Sequence, residues 1–193
     1  MSVFNLELLN MQNLEISDEQ LMVDAKKGNL DSIGTLYKRY SKRLYNFFLR
    51  LTNNRETSAD LLQNVFLRII KYRNSYNPEY LFKTWMYQMA RNCLKDQLDN
   101  ASKNPNSLSN LNVIGNYHEE DSSNLEVAKD EILFRAISCL PNEGKELLVM
   151  SKFQGLKYEE ISAITGDTVP NIKVKVYRTM IKLKDIYFEL EKA

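Results

Sequence analysis

The sequence predicts an all-α protein in which two small helical domains are joined by a flexible acidic linker. Its 193 residues include only 6 glycines and 4 prolines, which is few for a fold rich in turns and strands. Apolar residues recur three and four positions apart through residues 17–98 and again through 125–193. Between them, residues 99–124 are rich in Asn, Ser and acid without a sustained period, as is typical of a linker. Residues 1–16 are expected to form an N-terminal tail.

The first block, residues 17–98, is predicted to be helical from its first residues. Ser17 is followed by Asp18, Glu19 and Gln20, a helix cap with acidic residues in the first turn. Three apolar stripes at helical spacing then predict three further helices. Their members are Ile33, Leu36, Tyr37, Tyr40, Leu44, Phe47, Phe48 and Leu51; Leu61, Leu62, Val65, Phe66, Ile69 and Ile70; and Trp85, Met86, Met89, Ala90, Cys93 and Leu94. Asn77 and Pro78 separate the second stripe from the third, because a proline restricts the residue before it.

The second block predicts four helices. Helical spacing resumes over residues 125–140, and Asn142 is a candidate cap for a helix that continues to Lys152. A short helix over residues 156–165 and a turn at Gly166 and Asp167 follow. Thr168 or Val169 then opens the last helix, whose start can fall one residue later because Val169 precedes proline.

The net charge of +1 conceals strong segregation of charge. Residues 17–98 carry 14 basic and 8 acidic side chains, a net of +6, whereas residues 99–131 carry 2 and 7, a net of −5. Within the last helix, "PNIKVKVYRTMIKLK" holds five basic residues and no acidic one. Such a helix can lie on a membrane, dock on an acidic protein or enter a DNA groove. Its narrow apolar stripe favours DNA over a membrane surface.

Enzymatic chemistry lacks the residues it needs. The single histidine, His118, lies in the predicted linker, and neither cysteine has a close cysteine or histidine partner in sequence. Cys93 and Cys139 are therefore expected to be small core residues. No glycine-rich phosphate loop is present. We expect no catalytic residue, no metal site and no cofactor. Two cysteines, no long apolar run and no secretory signal in the first residues predict a cytoplasmic protein.

A short helix, a glycine turn and a basic helix form a helix-turn-helix pattern. Ile161, Ile164, Ile172 and Val176 are expected to pack its two helices together. On a helical wheel, Lys175, Arg178 and Lys182 form one stripe that suits the phosphates flanking a major groove. This pattern by itself is compatible with a stand-alone DNA-binding transcription regulator.

Three motifs, in order, resemble the extracytoplasmic-function (ECF) sigma factors of the sigma-70 superfamily, which are bacterial RNA polymerase initiation factors that retain domains two and four. "ADLLQNVFLRI" resembles the family's "AEDLxQEVFLRL", and "FKTWMYQMARNCLKD" resembles "FxTWLYRIARNxxxD". "YEEISAITGDTVPNIKVKVYRTMIKLK" resembles "YEEIAxxLGISxGTVKSRLHRARxKLR". The resemblance assigns residues 17–98 to domain two and 125–193 to domain four.

The resemblance implies a role for each motif and no catalysis. Three sets of residues are implied: polymerase binding by Asp60, Gln63, Asn64 and Arg68; minus-ten DNA binding by Tyr76, Asn77, Tyr80, Arg91 and Asn92; and minus-35 DNA binding by Asn171, Lys173, Lys175, Arg178 and Lys182. The minus-ten loop is implied to capture a base that has flipped out of the promoter duplex. Aromatic side chains of the loop can stack on this base and replace the stacking that it has lost. Trp85 is expected in the core rather than against a base. The implied partners are core RNA polymerase, through its beta-prime clamp and beta flap, and promoter DNA.

Departures from the family pattern carry their own expectation. Asn64 replaces the usual glutamate, Val174 the commoner serine, and Pro170-Asn171 the usual Gly-Thr. The segment after Arg91 and Asn92 has also lost much of its usual basic charge. Fewer phosphate contacts weaken DNA binding. We therefore expect relaxed promoter specificity, or help from an auxiliary DNA-targeting protein, and an anti-sigma factor is a further candidate partner. Beside the sigma factor and the stand-alone regulator, a third possible function is that of an adaptor, a degenerate member of the family that makes protein contacts without binding DNA.

Overall fold

The computed structural model describes residues 16–103 and 124–192. The predicted tail up to residue 15, linker residues 104–123 and His118 lie outside this part of the chain. The described residues form α-helices, one 3-10 turn at Arg73–Ser75 and one π-helical turn at Val149–Phe153, without a strand. The α-helices are α1 Asp18–Lys26, α2 Asp31–Thr52, α3 Arg55–Tyr72, α4 Phe82–Lys103, α5 Asn124–Ser138, α6 Asn142–Leu148, α7 Tyr158–Thr165 and α8 Val169–Glu191. The all-α prediction is confirmed.

Helices α1 to α4 pack around one apolar core. Ser17 caps α1 as predicted, because its hydroxyl oxygen accepts a hydrogen bond from the Gln20 backbone amide at 3.1 Å. Asn53 ends α2 in the left-handed conformation, with φ 54°, and the Asn54 side chain caps α3 by accepting from the Thr57 amide at 2.8 Å. Most members of the predicted stripes are buried between these helices. Tyr37 and Ile70 differ, since both are exposed at the edge of the core.

Helix α4 extends beyond its predicted end. It continues to Lys103, five residues into the segment expected to be linker. Residues 99–103 contain neither glycine nor proline, and the next helix breaker in the chain is Pro105. The low apolar content of these residues obscured a helix that an existing, well-packed helix can simply propagate.

Helices α5 to α8 form the second domain. The predicted helix over residues 142–152 is divided into α6 and the π-helical turn, where the Gln154 amide donates to the Val149 carbonyl at 3.0 Å. Pro141, not Asn142, occupies the cap position of α6. Gly166 ends α7 in the left-handed conformation, with φ 75°, and Thr168 precedes the first residue of α8. Cys93 is buried as expected, but Cys139 is exposed, so its placement in the core was wrong.

Gly144 allows α6 to lie very close to α8. A Cβ atom at Gly144 would stand 2.1 Å from the hydroxyl oxygen of Thr179. That hydroxyl donates a hydrogen bond to the Lys175 carbonyl at 2.8 Å. The close approach brings the side chain of Glu143 within reach of Lys175, where its carboxylate oxygen lies 2.8 Å from the amino nitrogen.

The two domains are in direct contact, with α4 against α7 and α2 against the π-helical turn. The hydroxyl of Tyr87 donates to the side-chain oxygen of Gln154 at 2.9 Å, and both side chains are buried. The guanidinium of Arg50 lies 4.5 Å from the centre of the Phe153 ring. Polar and aromatic contacts therefore join residues that the sequence places in separate domains.

Candidate nucleic-acid and polymerase interfaces

The polar face of α3 contains the four residues implied in polymerase binding. Asp60, Gln63 and Asn64 are exposed together beside Leu67, whose side chain is 65% exposed. Arg68 is half-buried because its guanidinium donates to Asn64 at 3.2 Å and to Asp96 of α4 at 2.7 Å. The bond to Asp96 raises the pKa of Arg68. Three of the four predicted residues thus form an open polar surface, and the fourth is held against α4.

The loop before α4 rests on Tyr76, which is 1% exposed. Its ring lies 5.1 Å from the Trp85 ring, and its hydroxyl donates to the Tyr80 carbonyl at 2.6 Å. Lys26 donates to the Tyr76 carbonyl at 2.8 Å, and burial raises the pKa of the Tyr76 phenol. A buried ring cannot stack on a base, so in this structure Tyr76 positions the loop rather than contacting DNA. Trp85 packs against the core as expected.

The tip of this loop is open to solvent. Asn77 closes a local turn, in which its side-chain oxygen accepts from the Glu79 amide at 3.1 Å. Tyr80 is 67% exposed and Leu81 is 53% exposed. An exposed aromatic ring on a loop with a buried aromatic base is suited to stacking on an unpaired base. Of the predicted loop residues, Asn77 and Tyr80 are the accessible ones.

Arg91 and Asn92 of α4 lie beside the second domain. The guanidinium of Arg91 pairs with Glu146 of α6, with 3.1 Å between the Nε and Oε1 atoms. One helical turn earlier, the Gln88 amide donates to the Ala163 carbonyl of α7 at 2.8 Å. Asn92 is exposed and lines a groove of about 820 Å³ between the domains. In this arrangement Arg91, which is predicted to bind minus-ten DNA, is therefore paired with a carboxylate of the second domain.

The helix-turn-helix consists of α7 and α8. Ile161, Ile164, Ile172 and Val176 are all buried between these helices and α6, which confirms the predicted packing. Gly166 supplies the left-handed residue that the tight turn requires. The packing leaves the predicted DNA-binding side chains of α8 on its outer surface, where Lys175 is half-buried and Asn171, Lys173, Arg178 and Lys182 are exposed.

The positive charge of Lys175 is compensated by two carboxylates of its own domain. Its amino nitrogen lies 2.8 Å from Glu143 and 3.0 Å from Asp167, and these bonds raise the pKa of Lys175. Asn171 donates to the other carboxylate oxygen of Asp167 at 2.6 Å. Hydrogen bonds from Asn171, then from Lys175, lower the pKa of Asp167. Two of the five predicted minus-35 residues are thus bound by carboxylates before any DNA arrives.

The remaining cations of α8 are differently placed. Lys173 stands with its amino nitrogen 5.9 Å from the centre of the Tyr158 ring, a cation–π distance. Arg178 and Lys182 are exposed on the side of the helix that also carries Lys175. Their binding to phosphates stays a prediction from the helical wheel, and their exposure is compatible with it.

Sequence reasoning did not find the acidic residues that hold these cations. Asp167 stands four residues before Asn171 and eight before Lys175, a spacing that places all three on one side of the helix start. That spacing was a usable signal. The pairings of Glu146 with Arg91 and of Glu160 with Lys83 left no local signal in the sequence, because the partners lie more than fifty residues apart in the chain.

Metal and membrane chemistry have no support in the described part of the chain. No cluster of three or more His, Cys, Asp or Glu side chains in residues 16–103 and 124–192 is arranged to hold a metal ion. Within the same ranges, every helix is too short or too polar to cross a bilayer.

Comparison with known proteins gives two family matches. Residues 36–104 match sigma-70 region 2, and residues 130–183 match sigma-70 region 4. The chain is 27% identical over 162 residues to RNA polymerase sigma factor YlaC of Bacillus subtilis, covering 80% of this chain and 91% of that one. It is 28% identical to ECF RNA polymerase sigma factor SigM of Bacillus subtilis, covering 81% and 95%. It is also 26% identical to the ECF RNA polymerase sigma-E factor of Escherichia coli, covering 85% and 91%.

Solved structures share the fold. CnrH, in complex with the cytosolic domain of CnrY, superposes with a TM-score of 0.66 at 19% identity, covering 88% of this chain and 96% of CnrH. The sigma factor RpoE of Bartonella quintana, in complex with the anti-sigma factor NepR, superposes with a TM-score of 0.67 at 18% identity, covering 79% and 94%. Sigma-70 regions 2 and 4, matched in order along one chain, together with relatives named as ECF sigma factors, show that this protein belongs to the extracytoplasmic-function sigma factors of the sigma-70 superfamily.

Proposed function

We propose that this sigma factor binds core RNA polymerase, directs it to promoters and helps to open the DNA strands, without catalysis of its own. The observation that carries the proposal is the presence of both family regions, in family order, on one chain. The curated relatives are named as RNA polymerase sigma factors, and the match to this chain covers nearly their whole lengths. This role places the protein in the cytoplasm.

We assign polymerase docking to the open polar surface of α3. Asp60, Gln63 and Asn64 are exposed and contribute nothing to the apolar core. Replacing Asp60 and Gln63 by Ala should therefore leave folding intact while it weakens binding to core polymerase. A titration of labelled protein with core enzyme measures the effect, with thermal unfolding as the check on folding. Undiminished affinity in the double variant would remove this assignment.

We assign minus-ten contact to the loop tip, through Asn77 and Tyr80, and minus-35 contact to the outer face of α8. Arg178 and Lys182 are the exposed cations of that face, and Lys175 joins them once its carboxylate partners are displaced. Separating Lys175 from its carboxylates reduces the electrostatic gain from DNA binding, because a cation that exchanges a carboxylate for a phosphate gains little. The ion pairs support weak, relaxed promoter selection.

A transcription experiment tests autonomy. Core enzyme and this protein alone, on a random promoter library, should give transcripts without strong enrichment of one two-part motif. Strong enrichment would show that promoter selection is autonomous. A stand-alone DNA-binding regulator is the competing function, and it requires DNA binding without polymerase. Co-purification with core polymerase, and dependence of DNA opening on it, separates the two.

A further inference from the structure

The groove that Asn92 lines is formed by both domains and has a volume of about 820 Å³. The second half of α4 and the end of α2 line it from the first domain, and the end of α5 and the start of α6 line it from the second. Small-molecule sites have volumes of this size and combine an apolar lining with a few well-placed polar groups. The lining of this groove therefore indicates which class of ligand it can hold.

Three leucines supply the apolar part of the lining. Leu94 and Leu98 lie one turn apart on the same face of α4, about 6 Å along the helix axis, and Leu51 of α2 also lines the groove. Leu98 is 46% exposed, whereas Leu51 and Leu94 are partly buried against the core. None of the described residues that line the groove is aromatic, so the lining offers no ring on which a nucleobase could stack. An alkyl chain is the apolar group that suits it.

Lys145 places a buried charge in the wall of the groove. The residue is only 6% exposed, and its amino nitrogen donates to the Ser138 carbonyl at 2.9 Å. Ser138 is the last residue of α5, and a helix C-terminus carries about half a negative charge. The bond to this carbonyl therefore compensates only part of the ammonium charge.

No carboxylate in the described part of the chain supplies the rest. A buried lysine normally has an acidic partner, yet no Asp or Glu among residues 16–103 and 124–192 forms an ion pair with Lys145. Its ammonium group has three N–H donors, and within the same ranges it makes one hydrogen bond. Burial lowers the pKa of Lys145, which the neighbouring Cys139 opposes only in part. An anion bound beside Lys145 would compensate the remaining charge.

The other charged groups of the groove balance one another. Arg91 pairs with Glu146, with 3.1 Å between the Nε and Oε1 atoms. Lys95 and Asp99 are exposed one turn apart on α4 and contribute one charge of each sign. The lining thus has three cations and two carboxylates, a net of +1, and Lys145 accounts for the excess. An anionic group is therefore favoured over a neutral or cationic one.

We propose that this groove binds a medium-chain fatty acid, with the carboxylate at Lys145 and the alkyl chain along Leu94 and Leu98. This inference goes beyond polymerase and promoter binding and does not depend on either. A ten-carbon acid has about 12 non-hydrogen atoms, for which a Kd on the order of 100 µM is expected. Because both domains line the groove, the bound acid should also favour the arrangement in which they are in contact.

Isothermal titration calorimetry of the full chain with decanoate tests the site, at concentrations up to roughly tenfold above that Kd. Two comparison ligands separate the contributions of the two ends. Decyltrimethylammonium has the same alkyl chain with the opposite charge, and acetate has the carboxylate without the chain. Each should bind roughly tenfold more weakly than decanoate, or less well still, because one half of the recognition is lost.

Two variants change the groove at separate points. Lys145→Met removes the charge and keeps an apolar stem, and Leu98→Glu replaces an exposed apolar contact by a carboxylate. Each should reduce decanoate affinity by about tenfold. The matched control is Leu30→Glu, because Leu30 is 50% exposed and does not line the groove, and this variant should bind decanoate as the wild type does. Thermal unfolding without ligand checks that each variant folds.

Three results would overturn the proposal. One is the absence of binding heat with decanoate, and another is equal binding of decyltrimethylammonium, which would mean non-specific adsorption of the alkyl chain. The last is unchanged decanoate affinity in Leu98→Glu, which folds independently of the buried lysine and so decides the matter even if Lys145→Met does not fold. Energy transfer between dyes on the two domains should rise with decanoate, and a fall would contradict binding between them. Core polymerase binding without fatty acid tests the sigma-factor role separately.

Discussion

Replacing Gly144 by Ala should destabilise the second domain, even though alanine is the better helix former. Alanine in a helix interior gains up to about 1 kcal/mol over glycine. The new Cβ, however, would stand 2.1 Å from the Thr179 hydroxyl oxygen and 3.2 Å from both the Cβ and the Cγ2 of Thr179. Rotating Thr179 removes only the first clash, and it gives up the hydrogen bond to the Lys175 carbonyl, worth about 1 kcal/mol.

The balance favours destabilisation. Overpacking of this kind costs about 1 to 3 kcal/mol. The helix-forming gain of alanine roughly cancels the lost hydrogen bond, so the expected net loss is about 1 to 3 kcal/mol. For a domain of this size each 1 kcal/mol lowers the melting temperature by roughly 4 to 8 °C. Circular dichroism at 222 nm, followed through thermal and urea unfolding, measures the change. The matched control is Gly34→Ala in α2, where a new Cβ meets nothing within 4 Å, and this variant should be slightly stabilised.

A double variant isolates the contact. Thr179→Ala removes the hydroxyl and Cγ2, so Gly144→Ala in that background should recover most of the lost stability. The two substitutions are therefore expected to be coupled by about 1 kcal/mol or more. If Gly144→Ala is as stable as the wild type, or if the two effects simply add, the close approach of α6 and α8 is not what excludes a side chain at position 144.

Three further predictions concern function and pH. Tyr80→Ala should reduce permanganate-detected strand opening more than polymerase binding, since the ring is exposed at the loop tip; equal strand opening would remove Tyr80 from the base-capture role. Glu146→Gln with Glu160→Gln should release α4 and increase the distance between dyes placed on the two domains, because each carboxylate pairs with an α4 cation; unchanged energy transfer would mean that the ion pairs do not hold the domains together. The pKa of Asp167 is lowered from 3.8 by folding, so its bonds stabilise the native state above pH 3.8 and are lost as pH falls through the lowered pKa. Wild type should therefore melt above Asp167→Asn at pH 6, and the difference should disappear at low pH; a constant difference from pH 6 to 2.5 would contradict this reasoning.

The helices and their cores could be predicted because their signals are local. The stripes around Leu36, Val65 and Ile172 repeat every three or four residues, and Ser17 and Gly166 mark a helix start and a helix end through backbone chemistry alone. The family motifs then supplied the order of the regions. The predicted boundary differs from the structure where polar residues continue a helix, as at residues 99–103.

The contacts of the candidate site could not be predicted in the same way. Tyr76 is an aromatic residue of the type that stacks on bases, yet its ring packs against Trp85. Arg91 has the appearance of a DNA contact, yet Glu146, fifty-five residues away, neutralises it. Such pairings depend on how separate helices approach one another, and hydrophobic periodicity contains no information on that approach.

The buried hydrogen bond between Tyr87 and Gln154, with Arg50 stacked on Phe153, gives the contact between the domains a thermodynamic consequence. A ligand that binds only the separated domains must first supply the free energy of separation, so its apparent affinity equals its intrinsic affinity multiplied by the fraction of molecules that are open. Each 1.4 kcal/mol of closure corresponds to about a tenfold loss. For such a ligand, a tighter domain contact raises the ligand concentration needed for half-saturation, and a substitution at Tyr87 or Gln154 that weakens the contact lowers that concentration without changing the residues that touch the ligand.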